Sequence, residues 1–340
     1  MPVRVAVLGS GSWGTTLGCL LAEQGVACTL WGHRPRDIEE IERRRENVRF
    51  LPGVALPDQL RLTADSATAL RGVDVVVLAV PMRSLLDNLR AVRPDIPSGA
   101  TLVSGIKGLD PVTGARVSET LAAQLGVTAA ERFCVISGPN LARELAAHEP
   151  ATTVVASHRA DLAQAMQRLF TTPWLRVYTS DDVAGVELAG AIKNVIAICA
   201  GMVDGLRYGF NTRAAVMTRG LAEITRLGLA AGANPLTFAG LAGVGDLIAT
   251  CSSAQSRNHY VGEQLAQGRT LDEIRAHMVM VAEGIDTARG ALALARRCGV
   301  EMPIVELMNE VLFHELSVAD ATRRLMDREP VHELRGFARG

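Results

Sequence analysis

The sequence predicts an α/β fold, with a doubly wound parallel sheet over residues 1–180 followed by an all-helical domain over residues 181–340. Three observations carry this reading. Short β-branched runs alternate with amphipathic segments from Val3 to about Tyr178. Runs such as VDVVVLAV are apolar throughout, which suits strands covered on both faces, as in a parallel sheet. Beyond Ser180 the strand signals fade.

The strand candidates, in order, are VRVAVL, ACTLW, VDVVVLAV, TLVS, FCVIS, TTVVAS and LRVY, with helices between most of them. Ser180, followed by Asp181 and Asp182, has the form of a helix start: a capping side chain and two anions near the positive end of the dipole. Thr270 to Glu273 forms a capping box, Gly268 and Gly299 are stops, and IVELMNEVLFHEL and VADATRRLMDR are amphipathic. A chain of 340 residues exceeds what one core usually supports, so two domains are expected. No Pro/Gly/Ser linker lies near residue 180, which predicts closely coupled domains with a cleft between them.

Thirty-five Lys and Arg against 36 Asp and Glu leave a net charge of -1, so no basic field points to nucleic acid or an anionic membrane. A small-molecule partner is expected. The chain enters a strand pattern at once, without the charged and apolar regions of a signal peptide. The longest apolar run, VELAGAIKNVIAICAG, is shorter than the ~20 residues of a membrane span and contains Glu187 and Lys193. Six scattered cysteines without CxxC spacing fit reduced thiols better than disulfides or zinc, so a cytoplasmic protein is expected, with no metal site.

Gly9-Ser10-Gly11-Ser12-Trp13-Gly14 matches G-x-G-x-x-G, and its context strengthens the match. The motif follows VRVAVL and opens TTLGCLLAEQG, the strand-turn-helix order of a Rossmann-like dinucleotide site. Gly9 permits the turn, Gly11 lets a pyrophosphate approach the backbone, and Gly14 lets helix and strand pack closely. The second strand ends Leu30-Trp31-Gly32-His33-Arg34, without the carboxylate that binds a ribose in NAD sites. Arg34 can instead pair with a 2'-phosphate, so NADP(H) is expected to be accepted alongside NAD(H); a solvated arginine opening a charged segment is the other reading.

Further breaks of pattern mark the chemistry. Lys107 follows the strand TLVS, and Ser137-Gly138-Pro139-Asn140 follows FCVIS, at the strand ends where α/β sheets bind ligands. Lys193 and Asn194 interrupt the apolar stretch Val186 to Gly201. Asp246 sits among small and apolar residues in GLAGVGDLIATC and needs a cation or several donors, for which Lys193 is the candidate. Ser256-Arg257-Asn258, at a helix start, outlines a phosphate or carboxylate site. A structural salt bridge and a solvated cap are the alternative readings of these last two.

In combination these motifs are more specific. GSGSWGTTL, RFLPG, KGLD, SGPNLA, ELAGAIKNVIAI, GLAGVGDLIATC, SRN and VAEGIDTA occur in the order found in the bacterial-type, NAD(P)-dependent sn-glycerol-3-phosphate dehydrogenases, which the chain resembles along nearly its full length. The resemblance implies interconversion of sn-glycerol 3-phosphate and dihydroxyacetone phosphate, a role in phospholipid synthesis, and a homodimer. It implies Lys193 as catalytic acid/base. Lys107, Gly138, Asn140, Asp246, Ser256, Arg257 and Asn258 match positions that hold substrate, with Lys107 and Arg257 also near the cofactor. Ser12, Trp13, His33, Arg34, Phe50, Ala142, Val281 and Glu283 match cofactor-contacting positions. Asn140 and Leu141 stand where the family usually has Ser or Thr followed by Phe. His259 and Tyr260 replace basic residues that commonly follow Asn258, which implies weaker attraction of the phosphate. The rival readings are a β-hydroxyacid or ketopantoate-type dehydrogenase, for which GLAGVGDLIATC and SRN together are not expected, and a non-catalytic NAD(P)-sensing module.

Overall fold

A computed structural model describes residues 3–333 and residue 336. Its first unit runs to Lys107 and resumes over Arg116–Glu187; its second comprises Gly108–Ala115 and the chain from Leu188.

The first unit holds one sheet: β1 Arg4–Leu8, β2 Ala27–Trp31, β3 Arg61–Thr63, β4 Val75–Leu78, β5 Thr101–Ser104, β6 Phe133–Ser137, β7 Ala151–Ala156 and β8 Leu175–Ser180. Its helices are α1 Ser12–Glu23, α2 Pro35–Arg44, α3 Ser66–Leu70, α4 Leu85–Val92, α5 Val117–Leu125, α6 Val127–Ala130, α7 Ala142–Ala146 and α8 Ala160–Phe170. The strand order is β3-β2-β1-β4-β5-β6-β7-β8, the doubly wound pattern in which the chain leaves β1 in both directions. β4 and β6 are buried at every residue, and Val5, Val7, Val75, Val77, Val103, Cys134 and Ile136 form part of one core.

Each of the seven expected strands is present, and two features differ from the sequence reading. β3 is an edge strand of only three residues, too short for an alternation to register, and pairs with β2. β7 runs antiparallel to β6, while β8 is parallel to β7. A parallel return needs a crossover helix that carries the chain back along the strand. α7, five residues long, covers only ~8 Å, about half the length of the five-residue β6.

The second unit is helical: α9 Val183–Gly205, which begins in the first unit, then α10 Phe210–Ala230, α11 Pro235–Phe238, α12 Asp246–Ser252 and α13 Arg257–Ala266. α14 Leu271–His277, α15 Glu283–Cys298, α16 Pro303–Phe313 and α17 Val318–Met326 complete it. The cap of α9 is Asp182, whose Oδ1 accepts from Gly185 N at 2.9 Å, and not Ser180, whose Oγ accepts from Asp182 N. The capping box Thr270–Glu273 starts α14, and Gly299, at φ 66°, ends α15.

The division differs from one at residue 180 in two ways. It falls at Glu187, inside α9, and the loop Gly108–Ala115 belongs to the helical unit. That loop is drawn there by α15: Arg297 Nη1 donates to Thr113 O at 2.7 Å, and a Cβ on Gly290 would meet Asp110 O at 2.6 Å.

α9 is long and apolar enough to cross a membrane, but its most apolar stretch is entirely buried, as in a core helix. Its partner α13 touches it backbone to backbone. A Cβ on Gly201 would run into the His259 carbonyl, and one on Gly262 into the Ile198 carbonyl. Side chains longer than hydrogen at either position would force the helices apart. All six cysteines are free, and burial pushes the Cys199 and Cys251 thiols up to about 12.

Glu223 of α10, 3% exposed, accepts from the backbone N–H groups of Ile304 and Val305 at the start of α16. Burial pushes its carboxyl up to about 7, against the downward pull of those two bonds and of Arg226. The folded state therefore holds more protons than the unfolded state between the ordinary value of 4.5 and about 7, and stability falls as pH rises through that window. We expect the unfolding free energy of Glu223→Gln to fall less than that of the wild-type protein between about pH 5 and about pH 8. Chemical denaturation across that range measures it, and parallel curves would remove Glu223 from the role.

Candidate active site

In the first unit the glycine loop joins β1 to α1. Gly9 takes φ +119°, and a Cβ there would meet Ala79 O at 2.6 Å; one on Gly14 would run into the Gly9 carbonyl. Gly11 has nothing within 4 Å of where a Cβ would stand, so the backbone is open to an approaching ligand. Gly11 caps α1 without a side-chain bond, and the first turn, which includes Ser12 and Trp13, has no acid. The first N–H groups of the helix are therefore available to an anion. Trp13 Nε1 is buried without a hydrogen-bond partner and lies against Gly105. This cradle fits the diphosphate of a dinucleotide.

Two side chains absent from the sequence reading hold the cradle. Asn47, 1% exposed, donates from Nδ2 to Ser10 O at 2.9 Å and Thr15 Oγ1 at 2.8 Å, and its Oδ1 accepts from Phe50 N. Thr16 Oγ1 donates to Ser12 O and to Ala142 O, joining α1 to α7. Phe50 and Ala142 are thereby tied to the loop. His33 and Arg34 are exposed between β2 and α2, with Arg34 as the α2 cap.

Lys107 Nζ donates to Gly138 O at 3.0 Å, which brings together the two loops that follow β5 and β6. Asn140 lies in the second of these loops. Its Nδ2 donates to Pro139 O and Thr152 O, both at 3.0 Å, so its donors stitch the turn to β7; Oδ1 is buried without a hydrogen-bond partner.

In the second unit α9 carries Lys193, 4% exposed, against Asp246, 2% exposed. Lys193 Nζ donates to Asp246 Oδ1 and to Thr250 Oγ1, and Thr250 Oγ1 donates to Asp246 Oδ1 at 3.2 Å. Asp246 is the first residue of α12, where the helix dipole favours a carboxylate. Thr250, one turn later, faces the same way. The i, i+4 spacing of Asp246 and Thr250 was a signal that could have found it.

Asn194, beside the lysine, accepts at Oδ1 from Asn258 Nδ2 at 2.8 Å, and Asn258 Oδ1 accepts from Gly284 N at 3.0 Å. This pair links α9, α13 and α15. Ser256 caps α13, its Oγ accepting from His259 N, and Arg257 follows as the first helical residue. Arg257 Nη1 donates to Val281 O at 2.8 Å; burial opposes its charge and Glu283 supports it. Glu283 opens α15, so the acid in an apolar run is a helix-start residue. His259 is buried and turned to Asp204, with Nε2 2.8 Å from Oδ2.

Each unit thus brings its own expected residues together. The first holds an anion cradle with the Lys107–Gly138 contact, and the second a buried ammonium–carboxylate–hydroxyl cluster beside a helix start bearing Arg257.

Comparison with known proteins points the same way. Residues 4–163 match the NAD-dependent glycerol-3-phosphate dehydrogenase N-terminus, and residues 182–323 the C-terminus of the same family. The chain is 48% identical to glycerol-3-phosphate dehydrogenase [NAD(P)+] of Citrifermentans bemidjiense over 96% of this chain and 98% of that one. It is 44% identical to the enzyme of the same name from Chlorobium phaeobacteroides, over 98% and 99%. The solved structure of glycerol-3-phosphate dehydrogenase from Coxiella burnetii superposes with a TM-score of 0.89 at 34% identity, covering 96% of this chain and 99% of that one. The chain belongs to the NAD-dependent glycerol-3-phosphate dehydrogenase family.

Proposed function

We propose that this chain interconverts sn-glycerol 3-phosphate and dihydroxyacetone phosphate with NAD(P)(H), and that Lys193 is its acid/base. The observation that carries the reading is a buried lysine held by Asp246 and Thr250 in the unit where Arg257 opens a helix. A sensing module has no use for such a cluster. The free cysteines fit a reducing cytoplasm.

Gly9, Gly11, Ser12, Trp13 and Gly14 would hold the dinucleotide by its diphosphate, with Phe50 and Ala142 alongside. A nicotinamide held there would supply the chemistry of hydride transfer to or from substrate C2. Everything else falls to the protein. Arg257, with the open N–H groups at the start of α13, binds the phosphate of the substrate. As negative charge develops on the C2 oxygen, the Lys193 ammonium donates a hydrogen bond to it and then passes it a proton. In the oxidative direction the neutral amine takes the hydroxyl proton. Asp246 and Thr250 fix the direction in which Nζ points, and the Asp246 charge favours the ammonium form.

NADPH oxidation with dihydroxyacetone phosphate tests the reading directly, and silence with this substrate but turnover of ketopantoate would overturn it. We expect Lys193→Met to bind NADPH as the wild-type protein does but to lose turnover by about a thousandfold or more. The same change strands a buried carboxylate, so a stability loss of roughly 3 kcal/mol should accompany it. Near-normal turnover would sink the assignment of Lys193. For Arg34→Ala we expect KM for NADPH to rise about tenfold while KM for NADH stays put, the loss of one charge-assisted pairing. An unchanged cofactor preference would remove Arg34 from the 2'-phosphate.

A further inference from the structure

We infer that His259 is a positioning residue for the substrate phosphate, acting through the first turn of α13. The inference rests on the reading of that helix start as the phosphate site. Its basis is a charged cluster that the proposed chemistry does not use. His259 Nε2 stands 2.8 Å from Asp204 Oδ2, and its Nδ1 stands 3.8 Å from Glu263 Oε2 on its own helix. Asp204, in the last turn of α9, is also gripped by Arg213 of α10, with Nε 3.0 Å from Oδ1 and Nη2 on the same oxygen. These are the charged groups that meet the imidazole from α9, α10 and α13.

The residue is fastened at three points. Its side chain reaches the end of α9, its carbonyl packs where Gly201 of α9 leaves room, and its N–H closes the Ser256 cap. The turn so fixed contains Arg257 and Asn258, and the helix to which it is fixed carries Lys193. The tether therefore sets the spacing between the anion-binding turn and the ammonium that meets the substrate oxygen. A substrate whose phosphate and carbonyl are a fixed number of bonds apart requires that spacing to be held.

Charge leads to the same residue. Asp204 and Glu263 are two carboxylates on the elements that support an anion site, where unbalanced negative charge would repel phosphate. Arg213 offsets the charge of Asp204 at Oδ1, and His259 occupies the other oxygen, Oδ2. His259 thus supports phosphate binding from behind the turn, although the loss of basic side chains after Asn258 suggested the reverse.

The test compares His259→Ala, His259→Gln and His259→Arg with the wild-type enzyme, measuring kcat and both KM values. For the alanine variant we expect KM for dihydroxyacetone phosphate to rise about tenfold, with kcat and KM for NADPH within about twofold, a loss confined to substrate binding. Arginine, which sets a guanidinium against Asp204, should restore most of the affinity, and glutamine, which offers only a neutral hydrogen bond, less. An unchanged substrate KM in His259→Ala would overturn the inference. So would a parallel drift of kcat and both KM values with no rescue by arginine, the behaviour of a merely structural residue. Should the alanine variant fail to fold, a lower substrate KM for His259→Arg than for His259→Gln supports the inference, and equal values contradict it. Wild-type turnover of dihydroxyacetone phosphate is read in the same assay, so failure of the functional reading shows as a silent wild-type enzyme.

Discussion

The helical unit depends on one constraint: an ammonium placed at the middle of a buried helix must be neutralised where it stands. Lys193 cannot reach water from the centre of α9, and an unpaired charge in such a place costs several kcal/mol. The cost is met by Asp246, held at the start of α12, with Thr250 occupying the remaining geometry of both partners. A hydrophobic pair would fill the same volume at no loss of stability. The polar cluster is therefore best understood as chemistry that the fold accommodates.

That accommodation shapes the rest of the unit. α9 runs against α13 closely enough for backbone to meet backbone at Gly201 and Gly262, so no side chain separates the lysine helix from the helix bearing Arg257 at these points. Asn258 of α13 donates to Asn194 of α9 and accepts from Gly284 of α15, passing the linkage on. The Asp204–His259 contact repeats the linkage at the far end of α9. Polar side chains at two heights along this helix contact find partners across it, as a low-dielectric interior demands.

Much of this was legible because it is local. Seven strands announced themselves as β-branched runs, and the glycine loop as a motif whose spacing follows from the turn it makes. Lys193 and Asp246 stood out because each is a charge in apolar surroundings, a conflict that only a partner resolves. The missed features have long-range causes. Asn47 reaches α1 32 residues earlier at Thr15, and His259 meets Asp204 across 55 residues, separations over which no periodicity carries information. β3 has three residues and its position at the edge depends on β2. Reversal of β7 depends on how far α7 carries the chain. The bonds of Asn140 Nδ2 to Pro139 and Thr152, the latter across 12 residues, likewise depend on how the turn meets β7.

The central claim is that the Lys193–Asp246 pair exists for chemistry and not for stability, and a double substitution separates the two. Lys193→Met/Asp246→Leu removes both charges and keeps the volume filled, so denaturant unfolding should return to within about 1 kcal/mol of the wild-type value, well above Lys193→Met alone. Turnover of dihydroxyacetone phosphate should remain at the level of the single variant. A double variant that regains turnover, or that is less stable than Lys193→Met, would contradict the account.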